Sequence, residues 1–227
     1  MGSWRRKALW PATGSRGCWK GHTKDVLAMF KPSKNITAGE LLQRLEADPE
    51  FVRKRAEQER DLAERAARSR AQQAPLLADL AASGVKVETV WDLVNRAGSY
   101  DQALPVLLDH LQRPYSDSIR EGIARALAVP ATRPIGWSTL VEEFRRTDAT
   151  NKQVKDGLAV ALAGASDDTV LADLVDLAKE KSHGSSRILL LLGIKRSKHP
   201  EAKQAVAELI RDRQLAKEIN SWRKGRD

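Results

Sequence analysis

The densest local cluster of polar chemistry in this chain is His183-Gly184-Ser185-Ser186-Arg187. Its spacing places it at the start of a helix. Free backbone N–H groups, two hydroxyls and the Arg187 guanidinium would there suit a phosphate or a carboxylate. The plainer reading is an N-cap preceded by a His-Gly helix stop. A second candidate set is cationic. Arg120 and Lys155 stand in matching places beside Glu121 and Asp156, and Arg125 follows on the same helix as Arg120. Such a ladder either contacts a ligand or pairs neighbouring helices. A third set, Val160, Leu189 and Leu190, is expected to point outward, where exposed apolar side chains would mark a partner site.

Other chemistry is not supported. His22, His110, His183 and His199 are isolated and none is followed by Glu, so no metal site is assigned. Cys18 is the only cysteine, which rules out an intramolecular disulfide and favours a reducing, cytoplasmic setting. No glycine-rich phosphate loop, Cys/His nucleophile pair or paired catalytic carboxylates stand out. Asp167-Asp168 reads as a helix cap. No catalytic residue, metal or cofactor is therefore expected, and the chain reads as non-enzymatic.

The elements that position these residues are helical. Ala and Leu dominate and aromatics make up 5%, a composition that favours helix over sheet. Ile119 to Leu127 returns 35 positions later as Val154 to Leu162, with apolar, basic, acidic and glycine positions in register. Ile119, Gly122, Ile123, Ala126 and Leu127 form an i, i+3, i+4, i+7, i+8 stripe. A period of this size with helical spacing signals a helical-repeat solenoid. The glycine within each stripe costs roughly 1 kcal/mol against Ala. It is expected where the first helix of the same repeat approaches closely.

Before the repeats, Thr37 and Glu40 form a capping box. Asp48-Pro49-Glu50 starts a charged helix expected to stop before Pro75. A helix at 76–82 ends at Ser83-Gly84, and one at 88–94 places Trp91 beneath the first repeat. The repeat pairs are read as 101–112 with 118–128, 138–146 with 151–163, and 168–181 with 185–192. Ser118 and Glu121 are read as a capping box and Gly164 as a stop. Helices at 199–211 and 214–223 close the chain.

The runs Asp117 to Leu127 and Asn151 to Leu162 resemble the second-helix pattern of the HEAT-like repeat family, of the short bacterial type related to phycobilisome-lyase repeats. The third unit, Ser185 to Leu192, departs from it. The resemblance covers about residues 100–195. It implies an all-α, right-handed curved stack whose second helices line a concave face, with Arg120/Glu121 and Lys155/Asp156 making salt bridges between repeats. It also implies three functional branches. Di-iron hydroxylases need His-Glu pairs that are missing here. DNA-repair glycosylases need a basic concave channel, and Glu121 and Asp156 make this face mixed. A chromophore-lyase-like activity rests on fold analogy alone.

The organisation expected is a disordered basic tail (1–34), an N-terminal helical cap (35–99) and HEAT-like repeats with capping helices (100–227). The tail carries Trp4, Trp10 and Trp19, and its composition suits a start assigned too far upstream, with Met29 as the alternative. The net charge is +9 overall, but 1–34 contribute +7, 195–227 contribute +5 and the body between carries −3. A polyanion footprint would need a basic stripe on the folded face. The apolar run Ile188 to Leu192 is far short of the 18–20 residues that span a bilayer. The expectation is a non-enzymatic protein-interaction scaffold. Its partner would contact Arg120, Arg125, Lys155, Val160, Ser185, Ser186, Arg187, Leu189 and Leu190. The alternative is a nucleic-acid-binding or DNA-repair protein using Arg120, Arg125, Lys155 and the basic ends.

Overall fold

The computed structural model describes residues 37–224, and these are all-helical with no strand among them. The readings of a disordered tail and of Met29 lie outside the described residues. The chain divides into two compact units between Asp61 and Leu62.

In the first unit, α1 (Ala38–Glu46) opens with the expected box: the Glu40 amide donates to Thr37 Oγ1 and the Thr37 amide donates to the Glu40 carboxylate. The Asp48 carboxylate accepts the Glu50 amide at 2.9 Å and starts α2 (Pro49–Ala82). No residue of α1 is buried, and Leu41 and Leu42 are exposed.

The helix α2 does not stop before Pro75 but runs through it. Pro75 and Ala71 both lie on an exposed face, so the carbonyl that proline leaves without a donor can turn to water. The stop comes at Gly84, whose φ of 90° closes a Schellman motif: Val85 N–H donates to Leu80 O and Gly84 N–H to Ala81 O. The next helix, α3, is short (Trp91–Val94) because the Asp92 carboxylate takes the Glu88 and Thr89 amides and holds them in a turn.

The remaining elements are α4 (Leu104–Leu111), α5 (Asp117–Ala126), α6 (Arg133–Arg146), α7 (Lys152–Ala165), α8 (Leu171–Lys179), α9 (Arg187–Arg196), α10 (Pro200–Leu209) and α11 (Arg213–Lys224). Short 3₁₀ turns precede α4, α6, α8 and α9. α7 packs against α5 on one side and α9 on the other, while α6 and α8 pack against α7 and α9 respectively. One apolar core runs from Leu76 to Ile219, so residues 76–99 share it with the region of the repeats.

Three local readings are corrected. Ser118 and Glu121 make no capping box. Instead, α5 starts at Asp117, and Glu121 accepts from Arg125 Nε at 2.7 Å and Gln153 Nε2 at 2.9 Å. Gly164 does not stop α7, which continues to Ala165. Its missing Cβ serves close approach instead, since a Cβ there would lie 2.5 Å from the Ala128 carbonyl oxygen. The glycines at the stripe centres are not approached by the first helix of their own repeat. A Cβ on Gly157 would meet the Glu121 backbone at 3.2 Å, and one on Gly122 would meet Val90 Cγ1 at 2.5 Å. α7 therefore approaches α5 and the residues just after it backbone to backbone, while Gly122 makes room for side chains.

Candidate functional site

Burial redistributes the residues expected to form a partner surface. Lys155, Ser186, Arg187 and Leu190 are each at most 2% exposed, and a side chain sealed in the core offers a partner no contact area. The reason is a register of 32, not 30, between α7 and α9. Setting Lys155 on Arg187 matches buried with buried: Leu158 with Leu190, Ala159 with Leu191, Ala161 with Gly193 and Leu162 with Ile194. Leu190 thus holds a core position also filled by Ile123 and Leu158, and α10 and α11 pack on α9. The outward position equivalent to Arg125 and Val160 is Leu192, 52% exposed. Val160, Leu189 and Arg125 are half-buried and Ser185 is exposed. Ala124 and Ala159, one position before Arg125 and Val160, are buried.

The His183 to Arg187 cluster is turned inward and makes no anion cradle. Arg187 does not hold the place of Gly122 and Gly157. Its guanidinium donates to the carbonyls of Ala178 (3.0 Å) and Gly184 (3.1 Å), to Asp212 (2.9 Å) and to Gln214 (2.6 Å). The hydrogen bond from Arg187 holds the Asp212 carboxyl below the usual range. The Ser186 hydroxyl donates to Asp156 at 2.6 Å.

The ladder of Arg120 and Lys155 splits into two roles. Arg120 pairs with Glu143 at 3.1 Å. Lys155 makes no ion pair. Its ammonium donates to the carbonyls of Phe144 and Thr147, the latter at 2.6 Å, and lies 4.4 Å from the Phe144 ring centroid. Burial pushes the Lys155 ammonium below its ordinary value, against the charges of Glu180 and Asp148.

An open recess of about 530 Å³ lies between the α4–α5 loop and the α6–α7 turn. Its lining brings together Arg113, Tyr115, Arg120, Arg146, Asp148 and Asn151. The Glu143 carboxylate, nearly sealed from solvent, accepts from Arg120 through one oxygen and from Arg146 through the other. This fixes two guanidiniums at the rim while leaving most of their five N–H donors uncommitted. Arg113 pairs with Asp109 one turn before it. Asp148 is the lining's one carboxylate. Its Oδ1 accepts from the Thr150 hydroxyl and amide, both at 2.7 Å, which hold the acid below the ordinary range. Asn151 caps α7 by accepting from the Val154 amide, so the positive end of that helix opens toward the recess.

Tyr115 is aimed by a relay that sequence reasoning did not find. Its hydroxyl lies 2.7 Å from His110 Nδ1, and His110 Nε2 lies 2.8 Å from Asp79 Oδ2. One buried imidazole thus joins the Asp79 carboxylate to the Tyr115 hydroxyl through its two ring nitrogens. His110 is fully buried, and burial is the main cause raising the Tyr115 phenol above its ordinary value. Arg113, Tyr115, Glu143 and Arg146 were missed because they carry no shared motif. The paired signs of Arg120 and Glu143 were legible, but not their meeting across 23 residues.

A second open groove, about 690 Å³, is lined by Ile194, Lys195, Lys203, Val206, Ile219 and Trp222 among others. The Lys195 ammonium sits 4.9 Å from the Trp222 ring centroid. Among the described residues no three of His, Cys, Asp or Glu gather closely enough to hold a metal, and no helix is long and apolar enough to cross a membrane. Comparison with known proteins finds no match: no family, no curated protein and no solved structure aligns significantly with this chain.

Proposed function

We propose that this chain is a non-enzymatic, cytoplasmic protein-interaction scaffold built as a right-handed HEAT-like stack of helix pairs. In this reading α4/α5, α6/α7 and α8/α9 are successive pairs, and the helices of the larger unit before residue 100 cap the N-terminal end. Three observations support the stack. The helices α5, α7 and α9 lie in sequence against one another. Gly157 and Gly164 of α7 meet the backbones of Glu121 and Ala128. Equivalent positions recur as Arg120, Lys155, Arg187 and as Ile123, Leu158, Leu190.

The observation that carries the interaction reading is the bracing of Arg120 and Arg146 by one nearly buried carboxylate, Glu143. Each arginine spends only part of its fork on Glu143, so the two, with Arg113 beside them on an open recess, present fixed donors to an anionic segment of a partner protein. Lys155, on which the nucleic-acid alternative relies, is 1% exposed and offers no cation to a ligand.

Binding to an immobilised array of random peptides tests the reading. Bound peptides are expected to be rich in Asp and Glu, and Arg113→Gln/Arg146→Gln is expected to lose them. Equal capture of acidic and basic peptides would remove the assignment, as would salt-sensitive binding to duplex DNA that outcompetes every peptide.

A further inference from the structure

We propose that the recess between Arg113, Arg120 and Arg146 recognises a phosphate monoester on its partner, such as a phosphorylated serine or threonine. This inference rests on the interaction reading above and goes further in naming the group bound. The lining carries three guanidiniums from three separate segments: the α4–α5 loop, the second turn of α5 and the last turn of α6. A single carboxylate ligand is satisfied by one guanidinium fork. A phosphate monoester has three terminal oxygens and close to two negative charges, and it rewards donors that arrive from several directions. Arginine suits this task because its planar fork is rigid and permanently charged.

The setting supports a dianion in two further ways. Arg120 is only 20% exposed and Glu143 only 4% at the side chain, so this guanidinium is held in place before any ligand arrives. The N-terminus of α7, a helix of 14 residues capped by Asn151, faces the same recess. Asp148 opposes binding, but Oδ1 of its carboxylate is committed to Thr150. Tyr115 forms a wall of the recess, with its hydroxyl engaged by His110 Nδ1 at 2.7 Å, which leaves the phosphate to the arginines.

Isothermal titration of the full chain with three degenerate peptide pools tests the proposal. The pools carry a central phosphoserine, a glutamate or a serine. The phosphoserine pool is expected to bind roughly tenfold or more tightly than the glutamate pool, since a phosphate adds a third oxygen and a second charge for the guanidiniums. Inorganic phosphate is expected to compete with it. Arg113→Gln and Arg146→Gln, both at exposed side chains, are expected to weaken the phosphoserine pool by a similar factor without lowering the melting temperature. Arg120→Lys is expected to weaken it too, because an ammonium cannot replace the fork. Equal binding of phosphoserine and glutamate pools, with both lost in the arginine variants, overturns the phosphate assignment and leaves the acidic-partner reading standing. Absence of binding by either pool overturns both. Displacement of the phosphoserine pool by an oligonucleotide, but not by inorganic phosphate, also overturns the assignment.

Discussion

Lys155 and Arg187 do the same work 32 positions apart: each is a buried cation in the first turn of its helix that donates to the carbonyls ending the helix before it. The last carbonyls of a helix have no partner within it. Buried ones need a donor from outside, and here a cation from the following helix supplies it. Lys155→Met should destabilise the chain by about 2 kcal/mol, because two interior carbonyls lose their donor. Arg187→Met should cost more, about 3 kcal/mol, because Asp212 is stranded as well. Urea unfolding followed by circular dichroism measures both. A neutral or stabilising result for Arg187→Met would show that the carbonyls find water instead.

The glycines of α7 separate contact from propensity. Alanine at Gly164 would place Cβ 2.5 Å from the Ala128 carbonyl oxygen, whereas Gly39 in α1 has nothing within 4 Å. Gly164→Ala should therefore lower stability by about 1–3 kcal/mol. Gly39→Ala should raise it by a few tenths to about 1 kcal/mol, if it changes the global transition at all. Gly157→Ala should fall between them, with its Cβ at 3.2 Å from the Glu121 backbone. Thermal melts of the three variants give the ranking. Equal effects would remove backbone contact as the reason for the glycines.

Acid should weaken the fold through His183. Its ring packs 4.5 Å from that of Phe144, and burial, then the Lys155 charge, push its pKa below the usual value, while Glu180 pulls the other way. Nε2 lies 3.2 Å from a Glu180 oxygen yet makes no hydrogen bond. The unfolded chain then takes up a proton near pH 6.5 while the folded one resists. The contribution is complete above about pH 6.5 and is lost as pH falls below it. The urea midpoint should drop between pH 7.5 and 5.5 in the parent chain more than in His183→Gln. Parallel pH dependence in the two would place the titration elsewhere.

Glu143 should couple strongly to Arg120. A double-mutant cycle on Arg120→Gln and Glu143→Gln should return about 1–2 kcal/mol, since Glu143 is nearly sealed from solvent. The same cycle on the exposed Glu50–Lys54 pair should return no more than about 0.5 kcal/mol. Similar values for the two would mean that the bracing of the recess is not held by this pair.

Some signals read within one turn of chain survived folding, although the Ser118–Glu121 box and the stops at Gly164 and before Pro75 did not. The box at Thr37, the cap at Asp48 and the positive-φ stop at Gly84 each depend on neighbours three or four residues away. Trp91 beneath the first repeat was legible, but its contact with Gly122 was not, since the glycine was assigned to the first helix of its own repeat. What misled was register. The α9 run Ile188 to Leu192 is apolar all round, so periodicity could not say which leucine faces out, and only the match of Lys155 with Arg187 settles that it is Leu192. The recess was invisible for a different reason. Arg113, Arg120, Glu143 and Asn151 belong to four segments, and no spacing in the sequence announces that they meet.

Arg187 also changes what the end of the described chain can do. Terminal helices normally fray, opening and closing with little effect on the rest. Here Asp212, just before α11, and Gln214, in its first turn, bind a guanidinium that is 1% exposed. Peeling away the last helix would strand that charge in an apolar interior, so the tail end is latched and should loosen only when the neighbouring core does.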